Sequence, residues 1–147
     1  MEIKDKHGRL LHKSEDSRDF SELDLPEAVF AGMLLQGTHF CDSNLTGASF
    51  RGADLYWSNF FLANLTSADF EGTQLQGADL KKANLTEANL RNANLSRDNV
   101  GESTQLQGAN LQGSDLRGAE LDGAEYDKDT IFPKGFHPEN KNLIFKG

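Results

Sequence analysis

The chain has 147 residues, a net charge of −8 at pH 7 and 37% hydrophobic residues. That acidity argues against a nonspecific nucleic-acid binder, which needs a basic face, and suits either a soluble protein or a mimic of a polyanion. The length favours one domain, and no apolar run is long enough to span a membrane.

The first 17 residues, MEIKDKHGRLLHKSEDS, are charged and carry Ile3, Leu10 and Leu11 as apolar anchors. They lack the apolar stretch of a signal peptide. They read either as a cap, a short strand or helix, or as a disordered segment. A regular pattern begins at Phe20. A large apolar residue falls on every fifth position: Phe20, Leu25, Phe30, Leu35, Phe40 and so on without a gap to Leu95 and Val100. Two positions before each such centre sits a small residue, as in Ala48, Ala53, Ser58, Ala63, Ala68 and Thr73. Helices and strands have side-chain periods of about 3.6 and 2, so neither accounts for this. A short, strict repeat predicts a solenoid with two inward residues in five.

The first units are irregular. Leu23 and Met33 fill slots that later hold Ala, Val29 and Leu34 stand where Asp or Asn is expected, and Pro26 sits in a turn. From Phe40 to Leu95 the repeat is clean. Gly37, Gly47, Gly52, Gly72 and Gly77 all fall two after a centre, which marks a turn that needs φ > 0. Lys82, Glu87 and Asn92 share that slot and must adopt another turn form or accept strain. The next centre after Val100 is Leu106, one residue late, so 101–105 is read as a one-residue bulge at a turn. Leu111, Leu116, Leu121 and Tyr126 then resume the five-step. From Asp127 the tail brings Ile131, Phe132, Phe136, Leu143, Ile144 and Phe145, enough apolar surface to seal the last coil, with Ile131 keeping the step. Pro133, Gly135 and Pro138 predict irregular chain there.

Pentads such as NLTGA, DLKKA and NLTEA resemble the pentapeptide-repeat family, A-[DN]-L-x-x, over roughly residues 20–126. The resemblance implies an all-β fold: a right-handed quadrilateral β-helix with short N- and C-terminal caps. Each pentad would form one side of a square and four pentads one coil, so residues twenty apart would stack. The domain division becomes 1–17 for the N-terminal cap or disordered segment, 18–126 for the β-helix and 127–147 for the C-terminal cap. The sequence supports a period of twenty independently. Phe20, Phe40 and Phe60 fall in one column and Phe30, Phe50 and Phe70 in the opposite one, while Leu fills the other two. Arg51, Glu71 and Arg91 would form an outward ladder of alternating charge. The segment FPKGFHP is similar to tails on cyanobacterial and plant-type members of the family.

No catalytic constellation is visible. His7, His12, His39 and His137 show no metal-ligand spacing. His39 and Cys41 face outward two residues apart but lack an orienting group and a pocket. A filled β-helix leaves no room for a small ligand. The chain is therefore expected to be no enzyme and to need no cofactor or metal. The free thiol of Cys41 fits a reducing, cytoplasmic setting. One feature breaks the pattern: Tyr56, Trp57, Phe61 and Leu62 occupy outward slots and predict an exposed apolar patch around one corner of one coil. Three readings stay open, a partner site, a surface covered by a terminal segment, or no role. The expected function is a non-enzymatic interaction scaffold, a monomer or weak homodimer that binds a protein partner of unknown identity, with no nucleic-acid or membrane contact. The family resemblance supplies the alternative, an acidic DNA mimic that modulates a type II topoisomerase. Against it stand a short rod, no long projecting loops, and outward columns that mix Asp, Asn, Thr and Lys.

Overall fold

A backbone that turns every five residues cannot pair with its own neighbours and must pair with the next coil. The computed structural model describes residues 1–16 and 18–147. In it, parallel bridges join residues twenty apart, from Asp19↔His39 to Gln74↔Asn94, one bridge in every pentad. Between bridges the chain turns. From Leu25 to Leu90 each centre's carbonyl accepts from the N–H three residues on, as Leu45 does from Ala48 at 3.0 Å. The turn's third residue has positive φ from Glu22 to Asn92, 67° at Gly47 but also 57° at Lys82, 59° at Glu87 and 56° at Asn92. The non-glycine positions thus keep the common turn form and accept the strain of a left-handed residue, about 1–2 kcal/mol each.

An inner pentad with Asn or Asp before its centre can satisfy all five of its backbone donors, and the unit around Leu45 shows how. Leu45 N–H donates to Asn64 O at 2.8 Å, Gly47 N–H to Thr66 O at 2.9 Å, and Asn44 N–H to Leu23 O at 2.9 Å. Ala48 N–H closes the turn. The remaining donor, Thr46 N–H, bonds the side-chain Oδ1 of Asn44 at 3.2 Å. The same side-chain bond recurs from Phe61 N–H to Asn59, from Glu71 N–H to Asp69 and from Lys81 N–H to Asp79. This is why Asn or Asp precedes the centre: its side-chain oxygen caps the one N–H that neither the ladder nor the turn can reach. Hydroxyls in the small slot work alike. Ser43, Ser58 and Thr73 are buried and donate to the carbonyls of Phe40, Leu55 and Phe70.

Inside, side chains stack by column. Phe20, Phe40 and Phe60 lie ring over ring at 5.3 and 4.8 Å, and Phe30, Phe50 and Phe70 at 4.9 and 5.0 Å. The two columns meet edge to face, for example Phe40 with Phe50 at 5.5 Å. All six rings are fully buried. Outside, Arg51 Nη1 pairs with Glu71 Oε2 at 2.6 Å. That hydrogen bond holds the Glu71 carboxyl below its ordinary value, with the Asn89 amide and the Arg91 charge adding to it.

The break near residue 100 is larger than the sequence suggested. Asp79 bridges Gln105 and Asn94 bridges Glu120, twenty-six positions on rather than twenty. Leu106 therefore takes the place over Leu80 that was expected for Val100, and Val100 is 76% exposed. The insertion is the six-residue loop Asp98–Ser103, not a one-residue bulge. A whole apparent pentad plus one residue has left the wall. A second correction concerns the tail. Ile131 bridges Asn110 and is half-exposed, while Phe132 packs against the core.

Each end carries a cap. β1 (Glu2–Lys4) and β2 (Leu10–Lys13) form an antiparallel hairpin. Its Ile3 is fully buried, and its Lys4 carbonyl accepts from Val29 N–H at 2.9 Å. The boundary drawn at residue 17 lies outside the described residues. At the other end β3 (Glu125–Tyr126) pairs in parallel with β4 (Ile144–Phe145), and a 3-10 turn spans Pro138–Lys141. Tyr126 packs on Phe132 and Phe145, and Phe132 stacks on Phe136.

If Asp98–Ser103 is a true insertion, its removal joins Arg97 to Thr104 and leaves the pentad Ser-Arg-Thr-Gln-Leu in unbroken step. Loop length weighs little on stability, roughly 0.6 kcal/mol per doubling. The deletion is expected to keep the β-sheet spectrum and to melt within a few degrees of the parent. Loss of fold on thermal melting would contradict the six-residue reading.

Candidate interaction site at the Tyr56–Trp57 turn

Tyr56 and Trp57 are the two turn residues after Leu55, and Trp57 holds φ = 55°. Their rings meet edge to face at 6.0 Å. The indole lies across Gly77 of the next coil, where an added Cβ would collide with the ring. Glycine at 77 thus serves two purposes: it takes φ = 70° and leaves room for the tryptophan. The indole N–H donates to Asp98 Oδ2 at 2.8 Å, a contact that spans the chain from residue 57 to the inserted loop.

Asp98 also organises the loop itself. Its Oδ1 accepts from Val100 N–H at 2.9 Å and from Glu102 N–H at 2.8 Å. Desolvation pushes its carboxyl up, but the Glu102, Val100 and Gly101 N–H groups and the Trp57 indole together hold it below its ordinary value. The loop and turn enclose a hollow of about 300 Å³ lined by Gln36, Tyr56, Trp57, Asp98, Asn99 and Val100. A second hollow, lined by Arg18, Leu34, Gln36 and Thr38, adjoins it through Gln36. Leu34 is 84% exposed and Trp57 54%.

Phe61 and Leu62 belong to the following turn, after Phe60. Phe61 is half-buried beneath Lys82 Nζ, 6.0 Å from the ring centre, and Leu62 is exposed. The four sequence-derived residues therefore fall on two successive turns rather than around one corner. Tyr56 and Trp57 are brought together, and neither ring of that pair meets Phe61. The residues missed by sequence reasoning are Leu34, Asp98, Asn99 and Val100. Leu34 was visible as an apolar residue in an Asn/Asp slot. The segment that reaches Trp57 is the insertion, not a terminal cap.

Elsewhere the chemistry is sparse. Among the described residues, no group of His, Cys, Asp and Glu is placed to hold a metal ion. Among the same residues no helix is long and apolar enough to cross a membrane. Cys41 is partly buried rather than open, and burial pushes its thiol up, away from the reactive thiolate.

The family model for pentapeptide repeats matches in 8 copies, over residues 24–60, 58–97 and 102–125. The chain belongs to the pentapeptide-repeat family. Its wall is accordingly a pentapeptide-repeat β-helix, and the break between the last two matched segments falls on the inserted loop. Among solved structures, the chain is similar to a pentapeptide repeat protein of the cyanobacterium Nostoc, at 29% identity and a TM-score of 0.53, covering 88% of this chain and 85% of that one. It is similar to HetL of Nostoc, a pentapeptide repeat protein involved in heterocyst differentiation regulation, at 29% identity and a TM-score of 0.60, covering 86% of this chain and 56% of HetL. A pentapeptide repeat protein of the Arabidopsis thaliana thylakoid lumen matches at 32% identity and a TM-score of 0.42, covering 79% of this chain and 66% of that one. No curated protein sequence matches significantly.

The Trp57–Asp98 contact has a pH signature. The Asp98 carboxyl is lowered from 3.8 in the folded chain. Its contribution is therefore fully present above about pH 4 and is lost as pH falls through the lowered folded value. Trp57 is the only tryptophan. Its emission is expected to stay constant from neutral pH to about pH 4 and to shift red below it. Asp98→Ala should show the red-shifted emission already at pH 7. Identical emission profiles for the two proteins would remove the contact.

Proposed function

We propose that this pentapeptide-repeat protein is a non-catalytic interaction scaffold whose protein partner docks on Leu34, Tyr56, Trp57 and Val100. The right-handed, four-sided cross-section is part of the same proposal. Four turns in every twenty residues support it, and it makes the docking surface one face and one edge of a rod. The observation that carries the reading is the half-exposed indole of Trp57, fixed from above by Gly77 and from the side by Asp98. A rigid aromatic held in its bound geometry loses little freedom on binding, and Trp and Tyr are the usual anchors of protein interfaces. Leu34 and Val100 extend the apolar area on either side. Phe61 and Leu62, one turn on, flank it.

The polyanion-mimic alternative calls for an unbroken acidic column. The outward columns alternate instead, as in Asp19, His39, Asn59, Asp79, Gln105 and Glu125. No particular observation favours that alternative.

A photo-crosslinking residue at Val100 tests the site in the native cell, with the same residue at Arg51, on the Arg51–Glu71 ladder, as control. A discrete partner is expected to crosslink from position 100 and not from 51. The crosslink should vanish when Tyr56→Thr and Trp57→Gly are added, with melting temperature and gel-filtration volume unchanged. Equal crosslinking from both positions would refute the site. A smaller elution volume for the wild type than for the variant would make the surface a contact between copies.

A further inference from the structure

The β-helix is not sealed on all sides at its C-terminal end. One coil below the end, Leu90 N–H donates to Asp115 O at 2.9 Å, Asn92 N–H to Arg117 O at 3.1 Å, and Asp115 N–H to Ala88 O at 3.0 Å. The corresponding groups of the last coil are Leu116 N–H, Gly118 N–H and Ser114 C=O. Among the described residues none of the three has a protein hydrogen-bond partner. Neighbouring positions of the same coil are closed: Leu111 N–H donates to Ile131 O at 2.7 Å, and Gly123 N–H to Asn142 O at 3.0 Å. The tail thus covers part of the final coil and leaves the strand edge over Ser114–Gly118 bare. A groove of about 590 Å³ lies along that edge, between Leu116–Ala119 and the tail residues Lys134, Phe136 and Lys141. At its wall the hydroxyl of Ser114 is buried with no hydrogen-bond partner.

The groove's charge is opposite to the protein's. Asp115 is occupied by Arg117, at 2.6 Å, and that hydrogen bond, with the Arg117 N–H, brings its carboxyl down to about 2. Lys134 and Lys141 are exposed and have no ion-pair partner among the described residues. An uncompensated basic pair thus flanks a bare strand edge on a chain of net charge −8.

We propose that this edge takes an extended acidic segment of another protein, added as one more parallel strand over Ser114–Gly118. The ladder fixes the bonds. One residue of the added strand donates to Ser114 C=O and accepts from Leu116 N–H, and the residue two further on accepts from Gly118 N–H. Side chains alternate along an added strand. The first of these residues points outward, as Asp115 does below it. The one between them covers the half-buried Leu116 and is apolar. Acidic residues on either side meet Lys134 and Lys141. A second copy of this chain fits poorly, because two such ends would bring their own lysines face to face.

The probe is a fluorescent peptide, Glu-Asp-Leu-Asp-Glu, blocked at both ends and titrated against the full chain by anisotropy. Saturable binding is expected. Methylating the backbone nitrogen of the Asp before Leu removes the donor to Ser114 and should weaken binding at least tenfold. Lys134→Glu with Lys141→Glu should weaken it at least tenfold with the melting temperature unchanged. The methylated peptide keeps the test valid should that double variant fail to fold. Absence of saturation at millimolar peptide overturns the proposal. Equal binding of the methylated peptide overturns it in favour of charge attraction alone. A concentration-dependent dimer that excludes the peptide overturns it in favour of a second copy. These outcomes are independent of Trp57, so they leave the scaffold reading to its own test.

Discussion

The side-chain bond from Asn or Asp to the N–H two residues on lets a five-residue unit satisfy all of its own backbone donors. A pentad has five backbone donors. Three reach the adjacent coils and one closes the turn, which leaves one pointing nowhere useful. Leaving that N–H without a protein partner forfeits about 0.5–1.5 kcal/mol, and repetition over many units makes the penalty comparable to a domain's whole stability of about 5–15 kcal/mol. The Asn and Asp side chains remove that penalty from within the unit. With the backbone satisfied, two inward residues per pentad suffice for a core. This is why a chain with 37% hydrophobic residues has Phe and Leu columns that are fully buried.

The same economy explains where the structure departs from its own repeat. Turns carry the side chains that do not pack inward, so insertions and large residues are tolerated there. Trp57 replaces a turn glycine, and Gly77 above it makes the space. Six residues leave the wall after Arg97 and return at Thr104, whose hydroxyl bonds Leu75 O at 2.9 Å as though nothing intervened. Asp98 then ties the excursion back to the tryptophan. The exposed loop, the aromatic turn and the permissive glycine form one construction, and each part loses its role without the others.

The columns were legible because a period of five sorted Phe from Leu without any coordinates. The edge-to-face Phe–Phe contacts between the two columns follow from a narrow interior that forces large rings to meet. The insertion was legible only in part. A six-residue excursion is one pentad plus one, so counting in fives sees a shift of one, and Val100 falls by coincidence where a centre belongs. Its neighbours Asp98 and Asn99 had no pattern to betray them, since a surface loop leaves no period. Tail position 131 misled for the same reason: Ile131 keeps the step, but an extra residue passes the inward place to Phe132. The pairing of Tyr56 with Trp57 rather than with Phe61 depends on which turn each residue occupies, and sequence spacing alone merged the two turns. The bare edge at Leu116 was out of reach, because it depends on where the tail does not go.

Native-state hydrogen exchange on Asn84→Ala tests the backbone account most directly. In the parent, Thr86 N–H bonds Asn84 Oδ1 at 3.1 Å, while Leu85 N–H bonds Asn110 O at 2.7 Å and Glu87 N–H bonds Gln112 O at 3.0 Å. The account predicts that Thr86 alone loses protection in the variant and that stability falls by about 1 kcal/mol. Unchanged protection at Thr86, or equal loss at Leu85 and Glu87, would contradict it.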